Sequence, residues 1–192
     1  MEFMINAELG HVTTLKEFYN EIRSQQEAAH GDDYCAQHDA LVNLFNKEGC
    51  TSYKEIGTHK GGTAAAVMQT GVEYMELVDI DMGKYRKFLA PIASKYCRDN
   101  DIELVVKETD SLGLGAIGKV CDVMLIDSVH KRPHMEKELE MHAQFAKRYI
   151  VFHDTSAVPA LYAGIVEFCR LNPFEIIERG TENVGYTVIK RK

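Results

Sequence analysis

The sequence predicts an α/β protein built on a doubly wound, Rossmann-like sheet of about seven strands, closed by an antiparallel hairpin and preceded by an N-terminal helical appendage. From Tyr53 onward, short apolar runs alternate with longer amphipathic stretches, which is how parallel strands and their crossover helices read in sequence. The first five predicted strands end in acidic, polar or glycine residues, at the positions that face a ligand in an open α/β sheet. The last two runs are joined only by Gly180 to Asn183, a turn-rich connection that suits a hairpin.

Residues 1–50 read as two helices. Leu15, Phe18, Tyr19 and Ile22 share one helical face; Leu41, Val42, Leu44 and Phe45 form a second before a stop at Gly49. His30 to Asp33 breaks the pattern between them. This segment is the appendage, and residues 51–192 are the sheet domain, with no Pro- or Ser-rich linker dividing the two. Strands are predicted at Tyr53–Ile56, Tyr74–Val78, Ile102–Val106, Val120–Ile126 and Tyr149–Phe152. The intervening helices are predicted at Thr63–Thr70, Lys84–Asp99, Leu112–Lys119 and Pro133–Lys147. A helix over Val158–Leu171 then leads into strands at Phe174–Glu178 and Gly185–Ile189.

Composition limits what this domain can meet. With 192 residues, 45% of them hydrophobic and 27% charged, the chain fits one soluble globular domain. A net charge of −7 repels the phosphate backbone, which argues against nucleic acid as a partner. No apolar run approaches the roughly 20 residues of a membrane span, and Met1 to Gly10 lack the basic-then-apolar pattern of a leader. A cytoplasmic protein acting on a small molecule is therefore expected, with homo-oligomerisation left open. Cys35, Cys50, Cys97, Cys121 and Cys169 are odd in number and never spaced Cys-x-x-Cys. That points to reduced, mostly buried thiols rather than a disulfide frame or a zinc site.

The strand ends carry the chemistry. Gly57, Gly61 and Gly62 fill the turn after the first strand, where a ligand can approach the backbone closely. The stretch Glu55 to Thr63 is not Gly-x-Gly-x-x-Gly, which favours a nucleoside site over a pyrophosphate-binding one. Asp79, about 20 residues past Gly57 at the end of the next strand, is placed to accept both hydroxyls of a ribose. Glu55 suits a ligand with an ammonium group and would repel phosphates. S-adenosylmethionine has that ammonium; NAD does not.

In order along the chain, Glu55 to Thr63, Asp79, Thr109 to Ser111, Ile126 to His130 and His153 to Thr155 resemble the strand-end motifs of class I S-adenosylmethionine-dependent methyltransferases. The likeness is to the branch of macrocin O-methyltransferase and the cephalosporin hydroxylase-like proteins, and it covers about residues 53–156. It implies that Glu55, Gly57 and Gly61 hold the methionine part of S-adenosylmethionine, Asp79 the ribose, and Asp110 with Ser111 the adenine, with Thr58 and Asp127 in the same cofactor site. It also implies Asp127 and Asp154 as metal ligands and His130 as the catalytic base; His153 either ligates the metal or orients Asp154.

Bottom-up reasoning fits these roles to methyl transfer onto a hydroxyl of a small molecule, a sugar among the candidates. Asp127 and Asp154 end neighbouring strands, so their carboxylates can converge on one ion. Oxygen ligands with room for water suit Mg2+ or Mn2+. A divalent ion lowers the pKa of an alcohol and a nearby imidazole accepts its proton. His130, at an ordinary pKa of about 6.5, would be mostly neutral at pH 7.

The chain departs from that branch at Ser128, where glycine is usual, at Phe145 to Tyr149, where no Gly-Gly turn precedes the fifth strand, and from the catechol-type enzymes at Thr155, where they carry asparagine. Two other functions compete: a nicotinamide-dependent oxidoreductase on a similar sheet, and a non-catalytic relative that keeps the cofactor pocket. One common form of the first needs Tyr-x-x-x-Lys on a helix, and the only match, Tyr186 with Lys190, falls in a predicted strand. His59 reads as a solvated loop residue and His134 with Glu138 as a solvated helix pair. His11, His30, His38 and His142 show no paired spacing.

Overall fold

The computed structural model describes residues 12–192; the reading of residues 1–10 as lacking a leader, and that of His11, lie outside the described residues. Thr14 opens α1 (Leu15–His30) with a capping box: its Oγ1 accepts from the Glu17 amide at 3.2 Å, and Glu17 Oε2 accepts from the Thr14 amide at 3.1 Å. Helix α2 (Ala36–Glu48) stops at Gly49, which takes the left-handed conformation at φ 63°. The order continues β1 (Ser52–Ile56), α3 (Gly62–Met68), β2 (Tyr74–Asp79), α4 (Gly83–Phe88), α5 (Ala90–Asp99), β3 (Glu103–Glu108) and β4 (Cys121–Ile126). It closes with α6 (Arg132–His142), β5 (Ala146–His153), α7 (Pro159–Leu171), β6 (Phe174–Gly180) and β7 (Tyr186–Arg191).

These strands form a 7-stranded sheet in the order β3-β2-β1-β4-β5-β7-β6, parallel through β5, with β7 inserted antiparallel between β5 and β6. The order reverses between β1 and β4, so the crevice at their carboxyl ends is the topological switch point.

Alternation along the strands divides the core into two layers. Tyr53, Leu77, Val123, Leu125 and Val151 belong to the layer that also holds residues of α1 to α5; Ile56, Met124, Ile126, Ile150 and Phe152 belong to the layer with α6 and α7. Leu15, Phe18 and Ile22 of α1 and Leu41, Leu44 and Phe45 of α2 lie in the first layer, so both helices share one core with the sheet. Fully burying a side chain such as Phe18 or Leu41 is worth about 1.5–3 kcal/mol. Helix α1 comes close to α3 because Gly62 has no side chain: a Cβ there would lie 2.9 Å from Ile22 Cγ2.

Three predicted helices differ from the structure. Lys84–Asp99 divides at Leu89 into α4 and α5, because Pro91 cannot donate the amide a continuous helix needs. Leu112–Lys119 folds only as a single 3-10 turn, Leu114–Ala116. Gly113, Gly115 and Gly118 make a helix there costly, at about 1 kcal/mol per glycine. That loop is held from below by Lys54, a fully buried β1 residue that pairs with Glu76 Oε1 at 2.9 Å and donates to the Ala116 carbonyl. Pro133–Lys147 ends at His142 and, after the 3-10 turn Ala143–Phe145, Ala146 already pairs with Cys121 in the sheet. All five cysteines are free and four are buried, as expected. Among the described residues, no helix is long and apolar enough to cross a membrane.

Candidate functional site

A cavity of about 410 Å³ opens over the carboxyl ends of β1, β2, β4 and β5. Of the residues singled out from sequence, Gly57, Thr58, Asp79, Asp110, Ser111, Asp127, His130, His153 and Asp154 line it. Glu55 and Gly61 do not. Glu55 lies beneath the cavity, 1% exposed, with Tyr53 Oη donating to its Oε2 at 2.7 Å. Burial pushes its carboxyl up to about 8, so at neutral pH it is mostly a neutral acid rather than the ammonium counter-ion expected from its position. Gly61 starts α3 with φ 87°, where a Cβ would meet Leu89 Cδ2 at 2.5 Å.

The two sides of the switch point are locked together. The Asp127 amide donates to the Ile56 carbonyl at 2.9 Å and the Gly57 amide to the Val78 carbonyl at 2.9 Å. Gly57 has φ 95°, and a Cβ on it would lie 2.1 Å from the Asp127 carbonyl oxygen. Glycine is therefore required both by conformation and by the closeness of the β4 end. On the β2 side, Asp79 Oδ2 accepts from the His59 amide at 2.8 Å and Oδ1 from the Asp81 amide at 3.0 Å. A carboxylate offers about four acceptor positions, so two remain for a ribose diol.

At the β4 and β5 ends, four side chains converge. His130 Nε2 stands 3.3 Å from Asp127 Oδ1 and 2.9 Å from Asp154 Oδ2; His153 Nδ1 stands 3.2 Å and 3.3 Å from the same two oxygens. Asp127, His153 and Asp154 each offer one ligand atom within 4.8 Å of the others, a donor set that fits a divalent cation. Asp154 has φ 59°, uncommon for a residue with a side chain. Hydrogen bonds that His130 donates to Asp127 and then to Asp154 push its pKa up to about 10, overriding the opposing effect of burial. Burial would raise the Asp154 carboxyl, yet the two imidazoles hold it well below the carboxylate range. His130 thus departs from the neutral histidine expected at pH 7: with both carboxylates unneutralised it keeps its proton.

The N-terminal segment supplies one wall of the cavity, through residues that no sequence pattern singles out. Gln26, Tyr34 and Gln37 line the cavity. The Tyr34 ring meets His153 edge-on at 5.6 Å. Gln37 is 3% exposed, and its side chain makes no hydrogen bond among the described residues, so its carboxamide is available to a bound molecule. Among the described residues the buried His153 Nε2 also lacks a partner. The segment carrying Tyr34 is fastened by Asn183 in the β6–β7 turn, whose Nδ2 donates to the carbonyls of His30, Gly31 and Asp32 at 2.9, 3.3 and 3.0 Å. No local pattern links positions 30–34 to 183.

One histidine reading changes. His134 is not in a solvated pair: it lines the cavity, and its Nε2 lies 3.2 Å from both Ser111 Oγ and Oε1 of the fully buried Glu138. Ser128 Oγ donates to that same Oε1 at 2.6 Å, which gives the serine at this position a partner in α6. His59 is an exposed loop residue, as read from sequence, and also lines the cavity, with Nε2 2.8 Å from Lys84 Nζ; partial burial and then the neighbouring lysines lower its pKa. Tyr186 and Lys190 both lie on β7, four residues apart and so roughly 13 Å along an extended chain, and Tyr186 Oη donates to Glu178.

This architecture is shared with solved methyltransferase structures. The chain is similar to a Staphylococcus aureus protein described as a caffeoyl-CoA O-methyltransferase, at TM-score 0.66 and 12% identity over 82% of this chain and 83% of that one. It is similar to magnesium protoporphyrin IX methyltransferase of Synechocystis with bound S-adenosylmethionine, at TM-score 0.63 and 15% identity over 82% and 79%. It is also similar to the N-methyltransferase NodS of Bradyrhizobium japonicum in complex with S-adenosyl-L-homocysteine, at TM-score 0.58 and 13% identity over 93% and 98%. The fold is thus the Rossmann-like fold of class I methyltransferases. No protein-family model and no curated protein matches the chain.

Proposed function

We propose that the protein is an S-adenosylmethionine-dependent O-methyltransferase that methylates a hydroxyl of a small polar molecule, such as a sugar, with a divalent cation at Asp127, His153 and Asp154. One observation carries this reading: a single cavity at the switch point holds both a ribose-ready Asp79 and the Asp127–His130–His153–Asp154 cluster. Bound S-adenosylmethionine supplies a methyl group on a sulfonium, and a bound cation lowers the pKa of the acceptor hydroxyl.

The remaining work falls to side chains of this chain. Asp79 takes the ribose hydroxyls, while Asp110, Ser111 and Thr58 line the rest of the cofactor site. Tyr34, in the turn between α1 and α2, and Gln37 of α2 line the same cavity and would contact the acceptor. His130 Nε2 receives the hydroxyl proton, a role open to it only when the charges of Asp127 and Asp154 are neutralised, because otherwise they keep it protonated. Base catalysis and cation binding are therefore coupled in this site.

The nicotinamide alternative lacks a helical tyrosine and lysine at the cavity, since Tyr186 and Lys190 stand on β7. Isothermal titration of the protein with S-adenosylhomocysteine, NAD+ and NADP+ tests the reading. Binding of S-adenosylhomocysteine alone is expected; binding of a nicotinamide cofactor alone would overturn it. Turnover should fall with chelator and return with added divalent ion, and full turnover in excess chelator would remove the metal from the proposal.

A further inference from the structure

We propose that the Asp127–His153–Asp154 cluster selects a first-row transition dication, such as Mn2+, Fe2+ or Zn2+, over Mg2+, and that His153 makes the choice. This rests on the reading of the cluster as a metal site and deepens it by naming the class of ion.

The donor set carries the argument. Two carboxylates alone would serve Mg2+ well, since that small, hard ion takes oxygen ligands, retains several waters and demands near-octahedral geometry. Here one of the three converging groups is an imidazole, which suits Fe2+, Ni2+ and Zn2+ and is a poor ligand for Mg2+; Mn2+ also favours oxygen but accepts a nitrogen donor more readily than Mg2+ does. The nitrogen is not free to move aside. His153 ends β5, pairs with Tyr186 of β7, and its side chain is only 4% exposed with Tyr34 packed edge-on against it. Its Nδ1 is aimed at Asp127 Oδ1 and Asp154 Oδ2, both within 3.3 Å. Any ion shared by those oxygens meets this nitrogen as well, so an ion that rejects nitrogen forfeits the site. His130, also close to both oxygens, is 48% exposed and free to rotate away, which leaves the buried imidazole as the fixed donor.

The test uses the full chain, stripped with chelator and titrated with Mn2+ followed by electron paramagnetic resonance, with Mg2+ as competitor. Mn2+ should bind at least about tenfold more tightly than Mg2+, and pulsed spectra should show nitrogen coupling from a directly bound imidazole. That coupling should persist in H130A and vanish in His153→Asp, in which the preference over Mg2+ should narrow. Equal affinity of the wild type for Mg2+ and Mn2+, or Mn2+ bound without nitrogen coupling, would overturn this inference alone and leave the metal site standing. Absence of any divalent binding would overturn the metal site as well, while S-adenosylhomocysteine titration still judges methyl transfer separately. If His153→Asp does not fold, the wild-type spectrum and the competition decide.

Discussion

Replacing Asp79 acts on two levels at once, and the structure separates them. Its carboxylate already accepts the amides of His59 and Asp81, at 2.8 and 3.0 Å, and so holds the turn after β1 against the turn after β2. Two further acceptor positions remain for the ribose. Asp79→Ala removes all four. Hydrogen bonds to a charged group contribute about 1.5–3 kcal/mol each, and less where water competes, as it does at this exposed rim. Loss of the two backbone contacts should cost about 1–3 kcal/mol of stability, equivalent to a fall in melting temperature of roughly 2–12 °C for a domain of this size. Loss of the two ribose contacts should weaken S-adenosylhomocysteine by about 100-fold, near 3 kcal/mol. Asp79→Asn keeps one acceptor oxygen and turns the other into a donor. It should recover part of the stability while still binding S-adenosylhomocysteine at least about tenfold more weakly. Calorimetric titration of both variants, with thermal denaturation alongside, checks the two effects independently. An Asp79→Asn protein that melts like wild type and binds S-adenosylhomocysteine with unchanged affinity would refute the ribose assignment.

Gly57→Ala should destabilise the protein by about 3 kcal/mol or more, since the added methyl meets the Asp127 carbonyl at 2.1 Å in a backbone conformation that disfavours a side chain; chemical denaturation measures it. Glu55 has a folded pKa near 8 against an ordinary value of 4.5, so the folded state binds the extra proton between these values and stability attributable to this group falls as pH rises from 4.5 through 8. Glu55→Gln should flatten that part of the stability profile, and an unchanged slope would count against a buried neutral acid. His130→Ala should lower turnover by about 100- to 10,000-fold while sparing S-adenosylhomocysteine affinity, and a loss below about tenfold in a folded variant would assign proton removal elsewhere.

What the sequence made legible follows from how local each signal is. The strand ends at Asp79, Asp127 and Asp154 were readable because a parallel strand is a short apolar run, and its carboxyl end is simply where that run stops. Topology then brings every such end to one edge of the sheet, so a one-dimensional list of strand ends becomes the lining of one cavity. Depth is a different matter. Glu55 sits one residue inward from the end of β1, and alternation turns it toward the layer shared with Tyr53 rather than onto the cavity wall. Motif spacing carries no record of that.

The contributions of Tyr34 and Gln37 were beyond reach for a further reason: they depend on where α1 and α2 dock, and docking is set by apolar matching and by contacts as remote as Asn183 to His30. The same limit explains His130. Its sequence neighbourhood shows Asp127 three residues away but not their contact, and its charge state is set by Asp127 together with Asp154, which is 24 residues away in sequence and 2.9 Å away in space. A site of this kind displays its reacting groups in sequence but conceals their protonation, because pKa is a property of neighbours that only the fold supplies. The consequence reaches function. A histidine held charged by two carboxylates is inert as a base, so a cation bound as proposed at Asp127, His153 and Asp154 would switch on His130 as well as act as a Lewis acid, and removing it should silence both roles together.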